Sequence, residues 1–223
     1  MKLIDKFKLV LPLLLYGVFY IGAFALLERI NRSWYLTPEL KIDSLIPFVP
    51  VFVIPYFLWF ALIPIMCTYL LFHDEREFVK TRLMIITGMS FFLLFSAVLP
   101  TKLDLRPDVY PTEGLIGFLF ARLYSADTPT NVFPSIHVYN TCVIWWSFMQ
   151  SSGEHAGKPV YRVIVSTISI LICLSTILIK QHSVVDVAGA LIMFLIIAAA
   201  AEYLFGNRAA GNTGNYKKIL MNH

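Results

Sequence analysis

Charge is scarce in this sequence. Asp, Glu, Lys and Arg make up 14% of its 223 residues, where soluble chains carry roughly 25%. With 58% hydrophobic residues, the chain holds more apolar surface than a soluble domain of this size could hide, and it reads as a membrane protein. Cysteine is rare too. Cys67, Cys142 and Cys173 stand inside apolar runs, with no CxxC or Cys/His spacing. That pattern supports neither a disulfide framework nor a metal site, and it leaves the thiols as small buried hydrophobes. No internal repeat or low-complexity tract is evident. No basic stripe is interleaved with aromatics, so nucleic acid is not an expected partner.

Long apolar runs are what the chain has in abundance. A crossing takes about 20 apolar residues, and six candidates occur: Leu9–Leu27, Phe48–Phe72, Leu83–Leu99, His137–Met149, Val163–Ile179 and Ser183–Phe205. The fourth is short and begins upstream, near Pro134. The first follows the basic start MKLIDKFK and is long for a signal-peptide core, so it is read as a span. The expected fold is therefore all-α: a single polytopic six-transmembrane-helix bundle over residues 1–206, with residues 207–223 as a flexible cytoplasmic tail.

Basic residues set the expected orientation. Lys2, Lys6 and Lys8, then Arg76, Lys80 and Arg82, then Lys158 and Arg162, then Arg208, Lys217 and Lys218 fall in alternate connections and both ends. Positive charge favours the cytoplasm, which places both termini inside. The interval Pro100–Pro134 then lies outside. Within it Leu115, Phe118, Leu119 and Leu123 recur at helical spacing, which predicts a short interfacial helix between the third and fourth spans.

Three polar clusters reach that same outer face: PTKLDLRP (Pro100–Pro107), PSIH (Pro134–His137) and STILIKQHSVVD (Ser175–Asp186). Ionisable groups at bilayer depth cost roughly 2.5–3.5 kcal/mol each, so they tend to be paired and functional. His182 and Asp186 are four apart and share a helical face if the last span begins near Gln181. The carboxylate would then fix the imidazole tautomer and leave Nε2 basic, a nucleophile with an orienting partner. The helix start and Lys180 favour an anion such as phosphate. His137 is a candidate general acid, and Ser135 a ligand for phosphoryl oxygens. Lys102 and Arg106 add positive charge, Arg106 with a bidentate fork. Each feature has a plainer reading: a self-satisfied His–Asp pair or proton relay, an interfacial histidine, and cations snorkelling at a membrane boundary.

These residues in this order resemble the type 2 phosphatidic acid phosphatase (PAP2) superfamily of membrane lipid phosphatases and phosphotransferases, known for the motifs KxxxxxxRP, PSGH and SRxxxxxHxxxD on a six-helix core. PSIH departs from the second motif at Ile136. STILIKQHSVVD keeps the spacing of the third, with Thr176 where the motif has arginine. The first is compressed, with only Leu103, Asp104 and Leu105 between Lys102 and Arg106.

The resemblance implies a phosphatase in which His182 attacks phosphorus, Asp186 orients it and His137 protonates the leaving group. Lys102, Arg106, Ser135 and Lys180 would hold the phosphate, Lys180 standing in for the missing arginine. The expected substrate is a phosphorylated lipid in a bed of membrane lipids, with no metal and no cofactor. A lipid phosphotransferase similar to inositol phosphorylceramide synthases would use the same residues with an alcohol in place of water. A proton-coupled transporter or lipid-binding protein is the reading of a different class.

Overall fold

The computed structural model describes residues 3–30 and 32–206. The tail expected at 207–223, together with Lys2, Arg208, Lys217 and Lys218, lies outside the described residues.

All regular structure among the described residues is helical. The helices are α1 (Leu3–Arg29), α2 (Lys41–Leu45), α3 (Val53–His73), α4 (Glu75–Val98), α5 (Gly114–Ala126), α6 (Ile136–Gln150), α7 (Pro159–Leu178) and α8 (Val184–Gly206). A turn of 3-10 helix at Pro50–Phe52 leads directly into α3. Five of them, α1, α3 with this lead-in, α4, α7 and α8, are long and apolar enough to cross a membrane. The protein is thus a multi-pass membrane protein.

The fourth expected span does not meet that measure. At 15 residues, α6 is about 22 Å long at 1.5 Å per residue, short of a hydrocarbon core of about 30 Å. Its surroundings explain why a short helix suffices there. α6 packs against α3, α4, α7 and α8, and Val138, Tyr139, Thr141, Val143, Ile144 and Ser147 are all fully buried. It is the bundle's axis, not its wall.

Glycine permits the closest approach to this axis. A Cβ at Gly88 of α4 would sit 2.1 Å from the Tyr139 ring, and the Tyr139 hydroxyl donates to the Met84 carbonyl at 2.6 Å. α4 itself starts before the expected Leu83, capped by Asp74, whose carboxylate accepts from the Glu77 amide at 3.0 Å. Lys80 and Arg82 are consequently helix residues, not loop residues. Buried Lys80 bridges Glu77 at 2.9 Å and Glu202 of α8 at 2.6 Å.

Up-and-down connectivity sorts the connections to two ends of the bundle. Lys6, Arg76 and Arg162 gather at one, where they donate to the carbonyls of Leu71, Phe205 and Met149. The segments 32–52, 99–135 and 179–183 gather at the other. There Leu36 pairs with Thr101, and Lys102 with Thr130, in isolated β-bridges. The hydroxyl of Thr101 accepts from the Val132 and Phe133 amides, and Glu28, at the end of α1, accepts from Thr128, Thr130 and Asn131. This knot fixes the chain that enters α6. Alongside it, α5 buries Phe120 and Leu123 against Val53 and Tyr56 while Leu115 and Phe118 stay exposed, a division suited to a helix lying along an interface.

Candidate active site

Three elements meet at the knotted end: the chain before α5, the start of α6, and the turn from α7 to α8. That turn begins where α7 closes in a Schellman-type arrangement. The Lys180 amide donates to the Ile177 carbonyl at 3.2 Å and the Gln181 amide to the Thr176 carbonyl at 3.0 Å. The motif places one residue in the left-handed region, normally glycine. Here it is Lys180, at φ +60°, at a cost of about 1–2 kcal/mol for a residue with a Cβ.

α8 starts only at Val184, so His182 precedes the helix and does not share a helical face with Asp186. Their proximity comes instead from a reciprocal cap. The Ser183 amide donates to Asp186 Oδ2 at 2.8 Å, and the Asp186 amide donates to the Ser183 hydroxyl at 3.1 Å, the geometry of a capping box. The same Oδ2 lies 3.5 Å from His182 Nδ1, too loosely placed to be a hydrogen bond, for Nδ1 is buried without a partner. Nε2 lies on the opposite edge of the ring from Asp186.

The start of α8 is not an open anion nest. Its Val184 amide donates to Asp43 Oδ1 at 2.8 Å, and its first-turn groups already serve Asp186 and Ser183.

His137 stands in the first turn of α6. Its ring stacks on Tyr56 at 4.3 Å and lies 4.4 Å from Trp59, both on α3, and its centroid is 6.0 Å from that of His182. Nδ1 meets the Tyr56 hydroxyl at 3.5 Å, whereas Nε2 is buried with no partner. Ser135 is fully buried. Its hydroxyl caps α6 by accepting from the Val138 amide at 3.4 Å, and its own amide donates to the Asp186 carbonyl at 3.2 Å. Ser135 therefore ties the two histidine-bearing starts together, and its hydroxyl keeps a proton to donate.

Arg106 joins from the chain before α5. It donates to Gln181 Oε1 at 2.8 Å and to the Asp127 carbonyl at 3.0 Å, with its guanidinium 4.6 Å over the Tyr124 ring. Arg106 Nε and Gln181 Nε2 are buried without partners. Buried polar atoms are rarely left so, and these two donors are open to a water or a ligand oxygen.

The other two expected cations make no hydrogen bond or ion pair with the histidines, Asp186 or Arg106 among the described residues. Lys102 contributes backbone to the knot while its side chain is exposed. Lys180 turns its ammonium away, onto the carbonyls of Asp43 at 2.6 Å and Ile46 at 2.5 Å. Thr176, where the resembled motif has arginine, is fully buried and donates to the Cys173 carbonyl.

Asp127, at the end of α5, had no place in the reading of the sequence. Burial pushes its carboxyl up to about 6, against the pull of Arg106 and His182. Tyr56, Trp59 and Gln181 were likewise missed. Only Gln181, beside His182, could have been suspected from its position.

Comparison with protein-family models, with curated proteins and with solved structures finds no match to this chain.

Proposed function

We propose that this protein is an integral-membrane lipid phosphatase of the PAP2 type, working through a phosphohistidine. The observation that carries the reading is the convergence of two imidazoles, 6.0 Å apart and on separate elements, beside an arginine joined to the turn that bears one of them. A nucleophile, a proton donor and a cationic cradle are the parts phosphoryl transfer requires.

In this scheme the phosphate lies against Arg106 and Gln181, whose orphaned donors it satisfies. His182 Nε2 attacks phosphorus, and the P–O bond to the lipid alcohol breaks. His137 Nε2, protonated beforehand, gives its proton to the departing oxygen. The neutral His137 then takes a proton from water, the hydroxide displaces His182 from phosphorus, and inorganic phosphate leaves with both histidines restored. Asp186 supports the positive imidazole as the N–P bond forms. No metal-borne step is part of the scheme.

The same proposal takes α6 as a sixth crossing. A helix enclosed by its neighbours can meet protein and buried polar groups at its ends, so it has no need of a lipid-matching length. Both termini then share the cytoplasmic side with Lys6, Arg76, Lys158 and Arg162, and the histidines open to the outer one.

The test is an assay of purified protein with dioleoyl phosphatidate in detergent micelles, with and without an alcohol acceptor. Release of inorganic phosphate that disappears in His182→Ala is the expected result. A new phospholipid formed from the acceptor would make the protein a phosphotransferase, and activity equal in wild type and His182→Ala would overturn both.

A further inference from the structure

Lys180 occupies a backbone position that suits glycine, yet its side chain is buried and fully engaged in a specific task. The ammonium reaches across to the carbonyls of Asp43 and Ile46, at the end of α2. Asp43 answers in the other direction: its Oδ1 accepts from the Val184 amide at 2.8 Å while Oδ2 accepts from the Leu40 amide at 2.7 Å. The Val49 amide donates to the Leu178 carbonyl at 2.9 Å. Segment 40–49 is thereby bonded to the α7–α8 turn at Leu178, Lys180 and Val184. His182 lies midway between the last two anchors.

Burial lowers the affinity of the Lys180 amine for its proton, with the Asp43 charge opposing. The ammonium's setting is thus one of carbonyl dipoles and a nearby carboxylate.

Resting on the phosphatase reading above, we propose that Lys180 and Asp43 are positioning residues: a clamp that fixes the height and direction of His182 for attack, with Lys180 making no contact with phosphate. The turn is short, and near-attack geometry is sensitive to displacements of about 1 Å, which can cost a hundredfold in rate. The left-handed lysine fits this role. Glycine there would relax the backbone, but it would remove the tie to the Asp43 and Ile46 carbonyls and leave segment 40–49 held only by the Val49–Leu178 and Val184–Asp43 bonds.

Lys180→Met, Lys180→Gly and Lys180→Arg separate the possibilities, assayed with dioleoyl phosphatidate and with orthovanadate as inhibitor. Expected is a fall in kcat of about tenfold to a hundredfold for Met and Gly alike, with KM and the orthovanadate Ki within about threefold of wild type. Partial recovery is expected for Arg, which keeps a cation that can donate to both carbonyls. Should Lys180→Met fail to fold, Lys180→Gly, whose backbone suits the turn, carries the same test.

Two outcomes overturn the clamp: kcat unchanged in the Gly variant, or KM and Ki rising together, which would put Lys180 on the phosphate. Hydrogen exchange gives an independent reading. Amides of residues 40–49 should lose protection in the variants, and retained protection counts against the clamp even if activity falls. Wild-type protein that releases no phosphate would instead sink the phosphatase reading itself.

Discussion

The rings of His137 and His182 are 6.0 Å apart, centroid to centroid, although one belongs to the first turn of α6 and the other to the turn before α8. The Ser135 amide, bonded to the Asp186 carbonyl, is the direct backbone link that sets this spacing. The two histidines therefore share one frame, and their substitutions should differ in kind. On the phosphatase reading proposed above, His182→Ala removes the nucleophile and should abolish turnover. On the same reading His137→Ala removes the proton donor and should cost about 10²- to 10⁴-fold, less for a substrate whose leaving group needs no proton. Acid-labile radiolabel from phosphate-labelled substrate should be trapped in His137→Ala and be absent from His182→Ala. Label in both would place the nucleophile elsewhere.

Arg106 uses its fork twice, on Gln181 and on the Asp127 carbonyl, and its plane over Tyr124. Lysine offers one point charge and no plane. Arg106→Lys should raise KM for phosphatidate about tenfold, equivalent to about 1.4 kcal/mol of binding, with a smaller change in kcat. An unaltered KM would remove Arg106 from the phosphate cradle.

Asp127 gives a pH signature. Its carboxyl titrates at about 6 in the folded protein against an ordinary 3.8. Between those values the folded state keeps a proton that the unfolded state has released, so this group's contribution to stability declines as pH rises through the window and stays low above it. Asp127→Asn removes the penalty. The variant should melt higher than wild type at pH 7, by up to about 3 kcal/mol, and the gap should close below pH 4. Thermal unfolding in detergent at the two pH values decides, and a gap that widens in acid would contradict the assignment.

Gly88 and Gly189 test the packing around α6. A Cβ at Gly88 would meet the Tyr139 ring at 2.1 Å, and one at Gly189 would meet the Phe133 ring at 2.4 Å. Overpacking of this kind typically costs 1–3 kcal/mol. Tyr139 is fully buried and bonded through its hydroxyl, while Phe133 is only partly buried and has room to turn. Gly88→Ala should therefore lower the melting temperature more than Gly189→Ala. The reverse order would mean that α4 and α6 can separate at little cost.

Hydropathy makes the five long helices legible because each faces lipid along much of its length, and the short helix α5 was readable from the spacing of Leu115, Phe118, Leu119 and Leu123. α6 was harder to judge. Its neighbours shield it, so neither its length nor its polar residues Asn140, Thr141 and Ser147 follow the rule for a lipid-facing span. At the site, the residue types of PSIH and of His182 with Asp186 were legible, but the geometry joining them was not. Spacing of four suggests a helical pair, whereas the pattern Ser183-x-x-Asp186 marks a helix start two residues later and was there to be read. Lys180 and Asp43 could not be matched from sequence. Their contact depends on how a distant loop folds back, and a lysine at a left-handed turn carries no local signal.

One oxygen of Asp186 both begins a helix and faces an imidazole. Charge and architecture are thus superimposed on a single atom. An amide in its place could still present an oxygen to the Ser183 backbone and to the ring while surrendering the negative charge. Asparagine at 186 is thus a natural dissecting tool: it asks how far a well-aimed but neutral acceptor can support an imidazole that becomes cationic on the phosphatase reading.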